Sequence, residues 1–309
     1  MNINRRDFLR NTALTAAIAS IPSASATLQA QTTSSKGAAG KLPFLIDTNV
    51  HLFQWPFRHL KYGTTPTLVA KLRQHGVQQA WAGTFDAMFA KDMSGANVRL
   101  VEECRRHGNG FLLPVGGVNP LWPDWEEDLR RCHEVHKMSA IRLHPPYEGY
   151  SLEEPSFGQL LEKATARSLL VQICIEMEDP RVHHPIVMSP SVGPVPLLEL
   201  FKNIPKARVQ LLGDGFAWLR LPQAAALMQA KNLFHDVSSL EGVGGVGRLI
   251  EGKHWNFKGT VPIERFVFGS HAPYYPVENA LLKLFESPLT LPQLEAIMEK
   301  NARRLIAAS

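Results

Sequence analysis

Short β-rich segments alternate with amphipathic helical patterns along most of this 309-residue chain. Most of these segments are apolar with little alternation, as expected for parallel strands that are covered on both faces. Eight such strand–helix units in about 260 residues predict an α/β fold, a single (β/α)8 TIM barrel with an additional C-terminal helix over 291–307. An open doubly wound sheet is the alternative, but no Gly-x-Gly-x-x-Gly pattern follows the first strand. The predicted strands are residues 43–51, 77–85, 111–119, 140–144, 169–176, 208–213, 233–238 and 265–270.

Residues 1–30 have the pattern of a twin-arginine signal peptide. Arg5 and Arg6 precede an apolar, uncharged run over 11–21, and small residues follow, with candidate cleavage sites after Ala26 and Ala30. The apolar run is well short of the ~20 residues that span a bilayer, so no membrane span is expected. The sequence therefore predicts export to the periplasm, a flexible linker over 31–41 and a barrel domain over 42–309.

The charge balance is that of an ordinary enzyme. The chain carries 33 Lys and Arg against 28 Asp and Glu, without a dense basic block that would indicate nucleic-acid binding. Its three cysteines are widely separated and odd in number, so they imply no disulfide framework. A small-molecule substrate is the expected partner, and the sequence leaves homo-oligomerisation open.

Polar residues at the strand ends are the candidates for chemistry, because active sites of (β/α)8 barrels lie at the C-terminal ends of the strands. Asn49 and His51, two residues apart at the end of strand one, leave the same face and are expected in the barrel mouth, Asn49 as a substrate contact. Strand four ends with Arg142 and His144 on one face. The planar guanidinium of Arg142 suits a bidentate clamp on a substrate carboxylate. His144 is a candidate metal ligand, base or substrate contact.

The later strands add carboxylates and a second strand-end histidine. Glu176, at the end of strand five, is the strongest candidate for an acid or base, while Cys174 on the same face is expected to pack rather than react. Asp214 follows strand six, and Asp236 lies on strand seven. His271 follows strand eight, where an imidazole can ligate a metal or act as a base at neutral pH.

Aromatic residues near the mouth would suit a ring-shaped ligand. Tyr147 and Tyr274 are expected to contact substrate, and Arg58 is a second candidate for holding a carboxylate. The remaining aromatic residues of this region, which could equally pack the wall, are Trp55, Phe57 and Tyr275.

Three motifs resemble those of the amidohydrolase superfamily. Asp47-Thr48-Asn49-Val50-His51 resembles its first-strand signature Asp-x-His-x-His, and Gly269-Ser270-His271-Ala272-Pro273 resembles its closing Gly-Ser-Asp-x-Pro. The segment Asn301-Ala302-Arg303-Arg304-Leu305 is similar to the closing helix. The chain is therefore identified as a member of the amidohydrolase-related (amidohydrolase 2) family, with the resemblance running from about residue 45 to residue 305.

The resemblance implies a barrel hydrolase or decarboxylase that typically depends on zinc or another divalent metal. Of the usual ligands only His51 is unchanged, because Asn49 replaces the first histidine and His271 replaces the closing aspartate. The histidines expected on strands five and six are absent. A neutral carboxamide is a poor ligand for zinc, so the metal site is altered even if it persists.

Three functions are open on this sequence. The first is a hydrolase of a small cyclic amide, ester or lactone carrying a carboxylate, with decarboxylation as the sister reaction and a rebuilt single-metal site that favours zinc. The second is a metal-free lyase or lactonase for a sugar-like substrate. The third is a non-catalytic ligand-binding barrel. The expected metal ligands are His51, His271 and His144, and the expected catalytic residues are His51, His271, Glu176 and Asp236.

Overall fold

The computed structural model describes residues 44–179, 184, 186–187, 189–190 and 192–306. The predicted signal peptide and linker lie outside these residues. The strands of the described part, numbered β1 to β9 in chain order, are Leu45–Leu52, Val77–Thr84, Leu112–Pro114, Gly116–Gly117, Ala140–Leu143, Leu170–Cys174, Val209–Leu212, Leu233–Asp236 and Phe266–Val267. β3 and β4 are two halves of one predicted strand. They are separated at Val115, whose N–H donates to the carbonyl oxygen of Ala82 at 2.8 Å.

The strands form a closed parallel ring. Neighbouring strands follow sequence order and are parallel from β1 to β3 and from β4 to β9. The segment after β9 lies against β1: the N–H of Thr48 donates to the carbonyl oxygen of Phe268, and that of His271 to the carbonyl oxygen of Asn49, both at 2.9 Å. The predicted (β/α)8 barrel is therefore confirmed.

Helices follow the strands on the outside of the ring. The predicted terminal helix is confirmed: the helix Leu291–Glu295 continues through a π-helical turn, Ala296–Lys300, into the helix Asn301–Ile306. Pro145 and Pro146 form the first turn of the helix Pro145–Glu148, where the backbone N–H that proline lacks has no helical partner in any case. Among the described residues, every helix is too short or too polar to cross a bilayer. The helices α1 to α11 are Thr65–Gln74, Met93–Gly108, Trp125–Arg130, Pro145–Glu148, Pro155–Ala166, Leu197–Asn203, Ala224–Gln229, Gly245–Glu251, Val277–Glu286, Leu291–Glu295 and Asn301–Ile306.

The interior of the barrel has an apolar layer and a polar layer. The polar layer is held by side chains from three strands: Gln172 donates to Gln210 Oε1 and to the carbonyl oxygen of Thr48, both at 2.9 Å, and Gln210 donates to Thr48 Oγ1 at 2.7 Å. This layer supports the strand ends where the candidate residues lie. The buried apolar layer contains Ile46, Trp81, Val115, Leu170 and Val267.

An irregularity in β1 decides which side chains face the interior. The pairing of β1 with β2 shifts register between Asp47 and Val50. Thr48 and Asn49 are consecutive, yet both direct their side chains to partners across the barrel. Strict alternation would have sent one of them outward. The shift therefore brings more polar groups to the mouth than the sequence pattern predicts.

Candidate active site

Asn49 bridges Asp236 and His271 in the centre of the barrel mouth. Its Nδ2 donates to Asp236 Oδ2 at 2.7 Å and lies 3.1 Å from His271 Nδ1. His271 Nε2 is 2.9 Å from the carbonyl oxygen of Met177. Since a carbonyl only accepts, His271 carries its proton on Nε2 and accepts from Asn49 on Nδ1. Burial lowers the pKa of His271 to about 4, so the ring is neutral at physiological pH.

The backbone at His271 is unusual for a residue with a side chain. Its φ of 60° is in the left-handed region, which non-glycine residues rarely occupy. The backbone is fixed by the bond from His271 N–H to the Asn49 carbonyl and by a second bond in which Tyr275 N–H donates to the His271 carbonyl at 3.1 Å. The conformation aims the imidazole at Asn49 and Met177, where both of its nitrogens are bonded.

Asp236 is surrounded by hydrogen-bond donors. Its Oδ1 accepts from the backbone N–H of Ser238 at 2.9 Å and from the hydroxyl of Ser238 at 2.6 Å, while Oδ2 accepts from Asn49. Burial raises the pKa of Asp236, and these hydrogen bonds lower it. Because all of these partners donate, the carboxyl group is arranged to accept hydrogen bonds inside the barrel.

Arg142 is completely enclosed within the barrel. Its Nε donates to Gln172 Oε1 at 2.9 Å, and its Nη1 donates to the carbonyl oxygen of Val50 at 2.8 Å. Nη2 reaches the carbonyl oxygens of Thr48 and Trp81, both at 3.3 Å. Burial lowers the pKa of Arg142 to about 10, which still leaves a cation at neutral pH. The expected role of Arg142 as a clamp for a substrate carboxylate does not fit, because its N–H groups already donate to acceptors within the protein.

Gly83 provides the space for this guanidinium. A Cβ at position 83 would lie 2.7 Å from Arg142 Nη1 and 2.9 Å from its Cδ. Both contacts are closer than real Cβ atoms approach, and the guanidinium is fixed by its hydrogen bonds. The glycine on β2 and the arginine on β5 therefore form a matched pair across the interior.

His51 lies directly beside Arg142. Its Nε2 is 3.2 Å from Arg142 Nη1, and since the guanidinium only donates, Nε2 accepts and the proton sits on Nδ1. Burial and the neighbouring Arg142 lower the pKa of His51 well below its usual range. The ring stacks on Phe85 with centroids 5.0 Å apart, and it meets the ring of His271 edge-on at 5.4 Å.

His144 completes this group of histidines at a greater distance. Its ring centroid is 6.1 Å from that of His51. Burial lowers its pKa to about 3, with Arg142 and His271 contributing. Together, Asn49, His51, Arg142, His144, Asp236 and His271 form what we call the central cluster, and each of these side chains is buried.

The central cluster does not provide a metal site. Among the described residues, no group of three or more His, Cys, Asp or Glu side chains is placed to hold an ion. Both nitrogens of His271 are hydrogen-bonded, His51 Nε2 faces a guanidinium, and the NH2 of Asn49 stands between Asp236 and His271. An added divalent ion would also face the buried charge of Arg142. The expected ligand set of His51, His271 and His144 therefore does not fit a metal in this arrangement.

Aromatic side chains close the mouth above the central cluster. Trp55 packs at centroid distances of 5.3 Å from Phe57, 5.5 Å from Tyr274 and 6.0 Å from Tyr147. Tyr274 is itself covered by the guanidinium of Arg58, which lies 4.4 Å from the ring centroid. Much of the ring surface of Tyr147 and Tyr274 is thus covered by neighbouring side chains. Arg58 is a partly exposed cation above them.

Open space lies beside this aromatic closure, in a cavity of about 870 Å³ that we call the Glu176 cavity. Its volume is within the range of small-molecule sites. Two links connect it to the central cluster: Ser238 donates to Asp236, and the ring of Tyr275 is 5.2 Å from that of His271. The cavity is lined by Glu176, Asp179, Gly215, Ala217, Ser238, Ser239, Glu241, Gly242, Tyr275, Asn279 and Lys283.

Glu176 is the titratable group suited to proton transfer in this cavity. It also lines a smaller neighbouring cavity of about 260 Å³, together with Tyr147 and Asp214. Burial raises the pKa of Glu176 to about 7, and Asp179, Asp214 and Glu241 contribute to the increase. A carboxyl group with this pKa exists in both protonation states near neutral pH, which is what a general acid–base catalyst requires.

Sequence reasoning misses Lys283, a second charged residue of the cavity. It lies on α9, and its Nζ donates to the carbonyl oxygen of Ser238. Burial lowers the pKa of Lys283, while Asp236 and Glu241 raise it. Its position one turn after Asn279, on the helix that follows the last strand, is the only signal in the sequence.

Two of the remaining candidates, Cys174 and Asp214, contact protein groups in a way that indicates a structural role. Burial raises the pKa of the Cys174 thiol to about 12, and its Sγ lies 3.1 Å from Met177 Sδ, as expected for a packing residue. Asp214 accepts from Trp218 Nε1 at 2.8 Å and from the N–H of Phe216 at 2.9 Å. Neither side chain is poised for chemistry on a bound molecule.

Comparison with known proteins identifies the family. The family model for amidohydrolases matches residues 46–307. The chain therefore belongs to the amidohydrolase family and is an enzyme of that superfamily. No curated protein matches it.

Solved structures with the same fold include several decarboxylases. 2,6-Dihydroxybenzoate decarboxylase from Rhizobium and 5-carboxyvanillate decarboxylase LigW from Sphingomonas paucimobilis each have 14% identity and a TM-score of 0.64, covering 86% of this chain and 99% of theirs. LigW2 from Novosphingobium aromaticivorans, with bound manganese, has 12% identity and a TM-score of 0.61, covering 86% of this chain and 97% of its own. At these identities the similarity shows the fold alone.

Proposed function

We propose that this protein is a metal-independent acid–base enzyme that hydrolyses the lactone ring of a small, sugar-like substrate in the Glu176 cavity. The observation that carries the proposal is Glu176 itself, a carboxyl group with a pKa of about 7 that lines a cavity of about 870 Å³. Acid–base chemistry without a metal is supported by the hydrogen bonds that both nitrogens of His271 and Nε2 of His51 make within the protein.

The lining of the cavity suits a substrate rich in hydroxyl groups. Ser238, Ser239, Asn279 and Tyr275 present hydroxyl and amide groups that can donate to and accept from sugar oxygens. In the reaction, the Glu176 carboxylate takes a proton from a water molecule while the water oxygen attacks the lactone carbonyl carbon. The ring C–O bond then breaks, and Glu176 returns the proton to the departing ring oxygen.

A substrate carboxylate, expected from Arg142 and Arg58, is disfavoured in this cavity. Arg142 is enclosed and bonded to protein acceptors, and the carboxyl groups that line the cavity, Glu176, Asp179 and Glu241, outnumber Lys283, the one cation among the described lining residues. Decarboxylation, the activity named for several structures with this fold, is for the same reason the less favoured chemistry. The hydrolysis product does carry a new carboxylate, and its repulsion from Glu176 would assist release.

The test is a substrate panel with matched variants. Proton release during hydrolysis of D-glucono-1,5-lactone and D-galactono-1,4-lactone is measured above the uncatalysed rate, beside decarboxylation of 2,6-dihydroxybenzoate. Glu176→Gln should lower kcat for a lactone by about 10²- to 10⁴-fold. Glu199→Gln, which alters an exposed carboxylate on α6 paired with Lys202, should leave kcat unchanged. Turnover of the aromatic acid alone, or full lactonase activity in Glu176→Gln, contradicts the proposal.

We also propose that the enzyme works in the periplasm after twin-arginine export. The support is the sequence pattern around Arg5 and Arg6 alone. Replacing both by lysine should leave the protein in the cytoplasmic fraction. Equal periplasmic recovery of the wild type and this variant would overturn the localisation.

A further inference from the structure

Lys283 is a cation that the fold places at the same cavity as Glu176. Glu176 enters the cavity from the end of β6, and Lys283 enters it from α9. Asn279 lies one helical turn before Lys283 and lines the same cavity, so one stripe of α9 forms part of the wall.

The groups around Lys283 hold its ammonium in place without using all of its N–H donors. One donor is directed to the carbonyl oxygen of Ser238, a residue that also lines the cavity. An ammonium has three N–H donors, so this bond leaves capacity for a substrate oxygen. Asp236, which accepts from Ser238, adds electrostatic stabilisation from within the barrel. The charge is therefore held at the wall of the cavity by Ser238 and by Asp236 of the central cluster.

We propose that Lys283 is a second catalytic residue, whose ammonium binds the lactone carbonyl oxygen and stabilises the negative charge that develops there. The proposal rests on the proposed function of the Glu176 cavity. As the water oxygen bonds to the carbonyl carbon, the C=O electron pair moves onto oxygen beside the Lys283 ammonium. The pair returns when the ring C–O bond breaks. Lys283 keeps its protons throughout, while Glu176 carries the proton from water to the leaving oxygen.

The kinetic test uses two substitutions at position 283. Lys283→Met keeps the chain length and removes the charge, whereas Lys283→Arg keeps the charge. With D-glucono-1,5-lactone, Lys283→Met should lower kcat by about 10²- to 10³-fold, the usual cost of losing one oxyanion donor, with little change in KM. Lys283→Arg should recover part of the loss. Lys253→Met removes an exposed lysine paired with Glu251 and serves as the control.

Thermal unfolding of the variants separates catalysis from folding. A purely structural lysine would lower Tm and the amount of active enzyme in Lys283→Met while leaving kcat per active site unchanged, and that outcome overturns the proposal. So does a wild-type kcat in Lys283→Met. Equal kcat losses in Lys283→Met and Lys283→Arg would also overturn it, because they would show that charge is irrelevant.

A binding measurement distinguishes failure of this inference from failure of the proposed function. If the wild type hydrolyses no lactone, calorimetry with D-gluconate at pH 6 still tests Lys283, because Glu176 is then mostly protonated and does not repel the ligand. The wild type should bind gluconate, and Lys283→Met should bind it at least about tenfold more weakly. Equal binding by the two proteins, or no binding by the wild type, overturns the role of Lys283.

Discussion

Replacing Arg142 by methionine should destabilise the barrel far more than loss of a surface charge. The substitution removes the donor that faces the carbonyl oxygens of Val50 and Trp81 and the Oε1 of Gln172. A buried acceptor left without a donor costs about 1–3 kcal/mol, so three acceptors lower the free energy of unfolding by at least ~3 kcal/mol. For a domain of this size, each kcal/mol shifts Tm by about 2–4 °C, which gives a fall of roughly 6–12 °C.

The assay is thermal unfolding followed by circular dichroism, with Arg99→Met as the matched control. Arg99 makes a solvent-exposed ion pair with Asp86 at 3.2 Å, and its loss should cost less than about 1 kcal/mol. Replacing buried charges with apolar residues sometimes stabilises a protein. An unchanged or higher Tm for Arg142→Met would therefore refute the claim that the polar interior is organised around this guanidinium.

Three further outcomes follow from titratable groups whose pKa values the fold shifts. Glu241→Gln should move the midpoint of the kcat/KM pH profile below that of the wild type, because Glu241 helps to raise the pKa of Glu176; an unmoved midpoint contradicts this. Burial raises the pKa of Asp47 to about 7 from its ordinary 3.8, so the folded state binds the extra proton and the contribution of Asp47 to stability falls as pH rises between these values. Urea unfolding should show that the free energy of unfolding falls less between pH 5 and pH 8 in Asp47→Asn than in the wild type. An equal fall in the two proteins would refute this role of Asp47. Cys174 should resist iodoacetamide at pH 8 until the protein unfolds, since burial raises its pKa to about 12; rapid native alkylation detected by mass spectrometry would contradict this.

The fold could be predicted from the sequence because its signals are local. Apolar β-rich runs and amphipathic helices recur along the chain, and the structure places nearly every strand within a few residues of its predicted position. The main departure is the third strand, which β3 and β4 divide at Val115. Pairing of short parallel strands depends on neighbours that are remote in sequence, and so a break of this kind leaves no local trace.

The site could be predicted only in part, because its chemistry depends on distances across the barrel. Asn49, His51 and His271 do come together, as position at the strand ends predicts. Arg142 has the same strand-end position, but its acceptors come from remote strands, and these hold it below the mouth rather than at the substrate. The sequence does not predict a site role for Lys283, because a lysine in an amphipathic helix ordinarily faces solvent.

The structure explains the two motif positions, 49 and 271, at which this chain departs from the family pattern. The carboxamide of Asn49 and the imidazole of His271, which are the substituted positions, hydrogen-bond to each other. Asn49 also donates to Asp236, and His271 is bonded to the Met177 carbonyl oxygen. The substitutions therefore match one another, forming a hydrogen-bonded network where the family pattern implies ligands for an ion.

The most direct test is the lactonase rate of the protein before and after removal of metals with a chelator. Elemental analysis by mass spectrometry should find substoichiometric zinc, manganese and iron in the stripped protein. We predict that its kcat for D-glucono-1,5-lactone equals that of the untreated protein and does not rise when Zn²⁺ or Mn²⁺ is added. Loss of activity on stripping, with recovery on adding one of these ions, would contradict metal-independent catalysis by Glu176.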